Sequence, residues 1–134
     1  MDERLNLAKD WFKKGDNDLK NAKVVIEAEE PPTDTICFHC QQTAEKYLKG
    51  FLVYHNSEFK KEHDLDYLLD LCYQIDTSFD SLRDMAENLT PYAIESRYPT
   101  DFFYEYPVEE TREAIKIAEQ IKEFVRKKLP GMEQ

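Results

Sequence analysis

Apolar side chains recur at spacings of three and four residues through most of this chain, and that period constrains its fold more than any other feature. From about Asp2 to Ala28, the residues Ala8, Trp11, Phe12, Leu19, Ala22 and Ile26 fall on one stripe of a helix. Gly15 lies on the same stripe. An interior glycine costs roughly 1 kcal/mol relative to alanine, so it either weakens one unbroken helix or lets a neighbouring backbone come close. Pro31-Pro32 then closes the segment. Thr33 and Asp34 are suited to cap a second helix, whose Ile36, Cys37, Cys40, Ala44, Tyr47, Leu48, Phe51 and Leu52 mark one broad face before the pattern fades near His55-Asn56-Ser57.

A lysine-rich connector around Lys60-Lys61 leads to a third helix, capped by His63 or Asp64, with Leu65, Leu68, Leu69, Cys72 and Ile75 on its stripe. Asp76, Thr77 and Ser78 offer caps for a fourth, which carries Phe79, Leu82, Met85, Ala86 and Leu89 and stops before Pro91. From Tyr92 to Tyr106 the period breaks down, and loops of that length are often functional. The last helix opens with Pro107 in its first turn and acidic Glu109 and Glu110 behind it. It buries Ala114, Ile115, Ala118, Ile121 and Val125 and ends on Arg126, Lys127 and Lys128. Short connections between most segments favour an all-α, antiparallel up-down bundle of about five helices, a single domain spanning residues 1–134.

Charge narrows the partners. A formal net charge of −10 repels the phosphates of duplex DNA, although a local basic cleft is compatible with it. Asp2, Glu3 and Arg4 follow Met1 directly, with neither a secretory leader nor a membrane span, so the expected location is cytoplasmic. Three cysteines in such a chain are expected to be reduced thiols.

Three clusters, taken together, resemble the HEPN family: His39-Cys40-Gln41-Gln42-Thr43-Ala44-Glu45-Lys46-Tyr47-Leu48-Lys49 on the second helix, His63-Asp64-Leu65 opening the third, and Arg97-Tyr98-Pro99 after the fourth. The resemblance extends over essentially the whole chain. It implies a helical bundle, commonly a homodimer, that partners a small nucleotidyltransferase encoded beside it or fused to it, in some relatives as a toxin–antitoxin pair. Independently of that likeness, Gln41, Glu45 and Lys49 stand at successive four-residue steps along one flank of the second helix, with Gln42 and Lys46 one position around. These residues either converge in a cleft or form an exposed i,i+4 pair of Glu45 with Lys49. Arg97 has the planar fork that suits a phosphate; it equally suits a clamp to Glu45 or Glu95.

Ribonuclease members of the family resemble one another in an Arg followed, after four to six residues, by His. There His moves a proton while Arg stabilises charge developing on the phosphate. Here the corresponding places after Arg97 hold Phe102, Phe103 and Tyr104. No other arginine repairs the motif, because the last histidine is His63 and only Arg4 precedes it. The resemblance also makes Tyr104 a conceivable acceptor of adenylyl groups, against an ordinary packing role. Cys37-Phe38-His39-Cys40 has a C-x-x-C spacing without a second ligand pair, and both cysteines lie on the apolar stripe, so no metal is expected.

The sequence thus favours a module without catalytic residues and without a cofactor. It would bind a nucleotide, RNA or other substrate at Gln42, Glu45, Lys46, Lys49, His63, Arg97 and Tyr98, and would partner a nucleotidyltransferase. The alternatives are a ribonuclease toxin with a non-standard site, using Arg97 with His63 or Tyr104, and a dimerisation scaffold with no ligand.

Overall fold

A computed structural model describes residues 3–93 and 105–132. Five α-helices appear among them, and no strand: α1 (Glu3–Val25), α2 (Thr33–Tyr54), α3 (Leu65–Ile75), α4 (Arg83–Leu89) and α5 (Val108–Arg126). None of the described helices is long and apolar enough to cross a membrane. Arg97, Tyr98, Tyr104, Glu95 and Phe102 lie outside the described residues.

The helix α2 is the axis of the molecule. Fourteen of its residues are buried, including Tyr47 and Leu48, and none of the others is fully exposed. Against it α1 runs antiparallel, since the contacts descend along one helix as they climb the other: Phe12 beside Gly50, Gly15 beside Thr43 and Asp18 beside His39. The close approach depends on both glycines. A Cβ at Gly50 would collide with the Phe12 ring, and one at Gly15 would press to 3.1 Å from the ring of Tyr47. Phe12 and Tyr47 stack at 4.5 Å with nearly parallel planes, and the Thr43 hydroxyl donates to the Gly15 carbonyl. The helix α5 closes the third side, meeting α2 where Cys37 reaches Thr111 and α1 through the ion pairs of Lys122 with Asp16 and Lys23 with Glu119.

Several helix ends differ from what the sequence suggests. Neither Thr33 nor Asp34 caps α2: both are already inside it, Pro32 holds the cap position, and the Thr33 hydroxyl instead accepts from the Tyr106 amide. Proline is pre-set for a helix start and has no amide proton to satisfy, which explains why it displaces the better side-chain acceptors. Asp64, not His63, caps α3, its carboxylate accepting from the Asp66 amide. The fourth segment is split. Asp76 caps a 3₁₀ helix over Thr77–Leu82, and α4 proper begins only at Arg83. Ile75 is 39% exposed, because it falls on the last turn of α3 where the chain leaves the core.

The end of α2 determines where the polar residues gather. His55 ends the helix, Asn56 takes the left-handed conformation at φ 55°, and the Ser57 and Asn56 amides donate to the Leu52 and Val53 carbonyls. This double bond is the Schellman arrangement, with asparagine in the place usually taken by glycine. The chain then doubles back along α2: Phe59 arrives at Trp11, and His63 arrives at Gln41 and Glu45. Nine extended residues span up to about 30 Å, and the stretch of helix from Tyr54 back to Gln41 is only about 20 Å long, so the return is well within reach.

Candidate functional site

The returning loop covers one flank of α2 and encloses a cluster of polar side chains. Glu45 lies at its centre, its side chain 4% exposed. Its carboxylate accepts from the Lys49 ammonium at 2.8 Å, from the Gln42 amide at 3.2 Å, from Gln41 at 3.4 Å, and from His63 Nδ1 at 3.1 Å. Gln41 also donates to the His63 carbonyl at 2.8 Å, and Gln42 to the Gln41 side chain. The pair of Glu45 with Lys49 is therefore not the exposed i,i+4 pair that helix spacing alone allows. It is a buried ion pair with Lys49 only 8% exposed, and burial of two charges is tolerated because several further donors surround the carboxylate.

Two aromatic rings complete the flank. The Lys49 ammonium lies 5.6 Å from the centre of Trp11 and 5.7 Å from that of Phe59, and the two rings meet edge to face at 6.3 Å. Sequence periodicity assigned Trp11 to the core and gave Phe59 no role. The signal that could have found them is the pairing of a half-buried tryptophan with a lysine on the facing helix, which no single-helix pattern contains. His63 is the open edge of the cluster. Its Nδ1 is held by Glu45 while its side chain is 70% exposed, so the Nε2 edge of the ring is presented outward. An imidazole anchored in this way offers a fixed hydrogen-bonding edge to a ligand.

Lys46 does not join this cluster. It points to the other flank of α2, where its ammonium meets Asp18 of α1 at 2.6 Å, and His39 Nδ1 meets the other oxygen of the same carboxylate at 2.7 Å. Of the sequence-derived site residues, the structure thus brings Gln42, Glu45, Lys49 and His63 together and separates Lys46. Gln41, named in the sequence only for its helical register, is an integral part of the cluster.

The thiols have no place in such chemistry. All three are free and buried; burial pushes Cys37 up to about 11, with the carboxylate of Glu110 adding to the effect, and raises Cys40 and Cys72 further. Thiols held in the protonated form are poor nucleophiles and poor metal ligands. No grouping of acidic, histidine and cysteine side chains among the described residues could hold a metal ion.

The sequence model of the HEPN domain matches residues 8–128. The chain belongs to the HEPN family. Its fold is shared with solved structures. One is TT1696 from Thermus thermophilus, 28% identical, with a TM-score of 0.75 over 92% of this chain and 99% of that one. Another is ST0689, described as an archaeal HEPN homologue, 24% identical, with a TM-score of 0.64 over 90% of this chain and 96% of that one. Among curated proteins, none matches significantly. The HEPN match takes in α2, the returning loop and α3, so the Glu45 cluster lies wholly within the shared domain.

Proposed function

We propose that this HEPN domain is a non-catalytic binding module that holds a nucleotide or nucleotide-bearing substrate at the Glu45 flank of α2, forms a homodimer and works beside a small nucleotidyltransferase, as in toxin–antitoxin pairs. The observation that carries the binding reading is the pre-organised cluster itself. Four side chains converge on one buried carboxylate, and a fixed imidazole edge faces solvent. A ligand meeting an imidazole edge already held in place loses less in ordering it. Arg97 and Tyr98, outside the described residues, are assigned to ligand binding by family resemblance alone. The non-catalytic part of the reading comes from the sequence, where Phe102 stands in the place of the histidine of the ribonuclease motif. Partnership and dimer formation rest on the family alone.

One test takes purified protein and measures its melting temperature with saturating mononucleotides, since a ligand that binds only the folded state must raise it. A rise that disappears in His63→Ala supports the reading. Co-purification with a nucleotidyltransferase, and the mass of the free protein by light scattering, test the remaining two parts.

A second reading is favoured by a specific observation, the anchorage of His63 on Glu45 through Nδ1 with the rest of the side chain exposed, and takes that imidazole as the general base. In that reading the protein cleaves RNA without metal. Cleavage by wild type, abolished in His63→Ala and Arg97→Ala, would establish it over the binding module.

A further inference from the structure

Trp11 is the one tryptophan of the chain, and it is placed unusually for so large an apolar residue. Its neighbour Phe12 is 2% exposed in the core, yet Trp11 is only half-buried, and Leu7, one turn earlier on the same face of α1, is 53% exposed. Phe59 is likewise half-buried. The inner sides of both rings are fixed by the Lys49 ammonium, an attraction between cation and π-face that acts on each ring separately. Both rings stay partly open to solvent, with Leu7 one turn away from Trp11 on α1 and His63 reaching the same cluster through Glu45.

We infer that Trp11 offers a stacking face to a planar nucleobase and that Phe59, packed edge to face against it, supports that ring and flanks the base, with the phosphate lying toward His63, Lys60 and Lys61. The inference rests on the nucleotide-binding reading of the Glu45 flank and adds to it the residues that recognise the ligand's ring. Nucleobases outside a duplex are held in this way, by stacking on aromatic side chains and hydrogen bonds to their edges. Trp11 is pre-positioned by Lys49 and by the Phe59 ring, so stacking on it costs little side-chain entropy. Lys60 and Lys61 follow Phe59 directly but are flanked by Glu58 and Glu62, so the rim has a little positive charge in the right place and no extended basic track. With a net charge of −10 on the whole chain, this suits a ligand with few phosphates. The same base could arrive on a free nucleotide or at a single-stranded RNA end.

The lone tryptophan makes the test direct. Tryptophan emission is titrated with AMP, with ribose 5-phosphate, which lacks the base, and with a short adenine oligoribonucleotide, while calorimetry records binding independently. Stacking predicts strong quenching by AMP or by the oligonucleotide, whichever is the natural source, and none by ribose 5-phosphate. Trp11→Leu, which removes the stacking face, should weaken the ligand about tenfold or more by calorimetry, and Phe59→Leu, which removes only the ring that steadies the indole, should weaken it less. Trp11→Phe, which keeps a π-face, should retain binding by calorimetry. Calorimetric binding with unchanged Trp11 emission, and with Trp11→Leu as tight as wild type, would overturn the stacking face while leaving the Glu45 site standing. No binding of any of these probes would remove both.

Discussion

The two flanks of α2 carry polar clusters of similar composition, and they do different things. On one flank, the carboxylate belongs to α2 itself: Glu45 is surrounded by Gln41, Gln42 and Lys49 of the same helix, with His63 brought in by the returning loop. On the other, the carboxylate comes from the facing helix, and Asp18 of α1 takes up both His39 and Lys46. The Asp18 group therefore ties two helices together. The Glu45 group ties no two long helices; it holds a charged floor beneath two aromatic rings and leaves an imidazole outside. A clasp engages its groups fully with one another. A binding site keeps one edge open, and of these two flanks the Glu45 side has the more open one, with the His63 side chain 70% exposed against 24% for His39.

This contrast orders the effects of mutation. Glu45→Ala leaves the Lys49 ammonium buried without its counter-charge, and loss of one partner of a buried pair typically costs about 3–5 kcal/mol. A large fall in the urea midpoint is expected. Replacing both members, as Glu45→Leu with Lys49→Met, should recover most of it, because neither charge then remains to be solvated. Asp18→Ala should cost less, about 1–2 kcal/mol, since Asp18 is 12% exposed and its partners His39 and Lys46, at 24% and 22%, can turn to water. Equal losses at Asp18 and Glu45 would erase the distinction between clasp and floor. His63→Ala should change stability by no more than about 0.5 kcal/mol, as expected of a side chain 70% exposed, while impairing ligand binding.

The smallest effect is expected at a third carboxylate, one that belongs to neither cluster. Asp76 is held down at about 2 from its usual 3.8 by the Ser78 hydroxyl and amide, with Lys128 adding to the effect. A depressed acid contributes stability that is complete above its unfolded pKa and is lost as pH falls through the folded value. Its share should therefore disappear between about pH 4 and pH 2, and Asp76→Asn should remove that part of the acid sensitivity. The check is stability measured by urea titration at several pH values.

Much of the architecture was legible in the sequence because helix formation and burial are written in one period. The stripes of α1, α2 and α5, the stop near Asn56 and the burial of Cys37 and Cys40 all followed from the sequence pattern, although α1 ends at Val25, short of Ala28 and of Pro31-Pro32. The cap of α2 did not, because Thr33, Asp34 and Pro32 compete for adjacent positions and tertiary contacts decide among them; Thr33 is drawn away to Tyr106. The site was half legible. Register put Gln41, Glu45 and Lys49 on one flank, but register cannot say whether a flank is wet, and a loop returning from Asn56 is what buries it. Lys46 was assigned to that flank for the same reason: a residue one position around is equally near two faces, and only Asp18 on the facing helix decides between them. Trp11 and Phe59 join across elements distant in the chain, where no local pattern reaches.

The measurement that tests the account most directly is calorimetric titration of a mononucleotide into wild type, His63→Ala and Asp18→Asn. The account predicts that binding is lost or strongly weakened in His63→Ala, on the open edge of the Glu45 flank, and kept in Asp18→Asn, where only the clasp is disturbed. Loss in Asp18→Asn with retention in His63→Ala, or no heat of binding in the wild type, would contradict it.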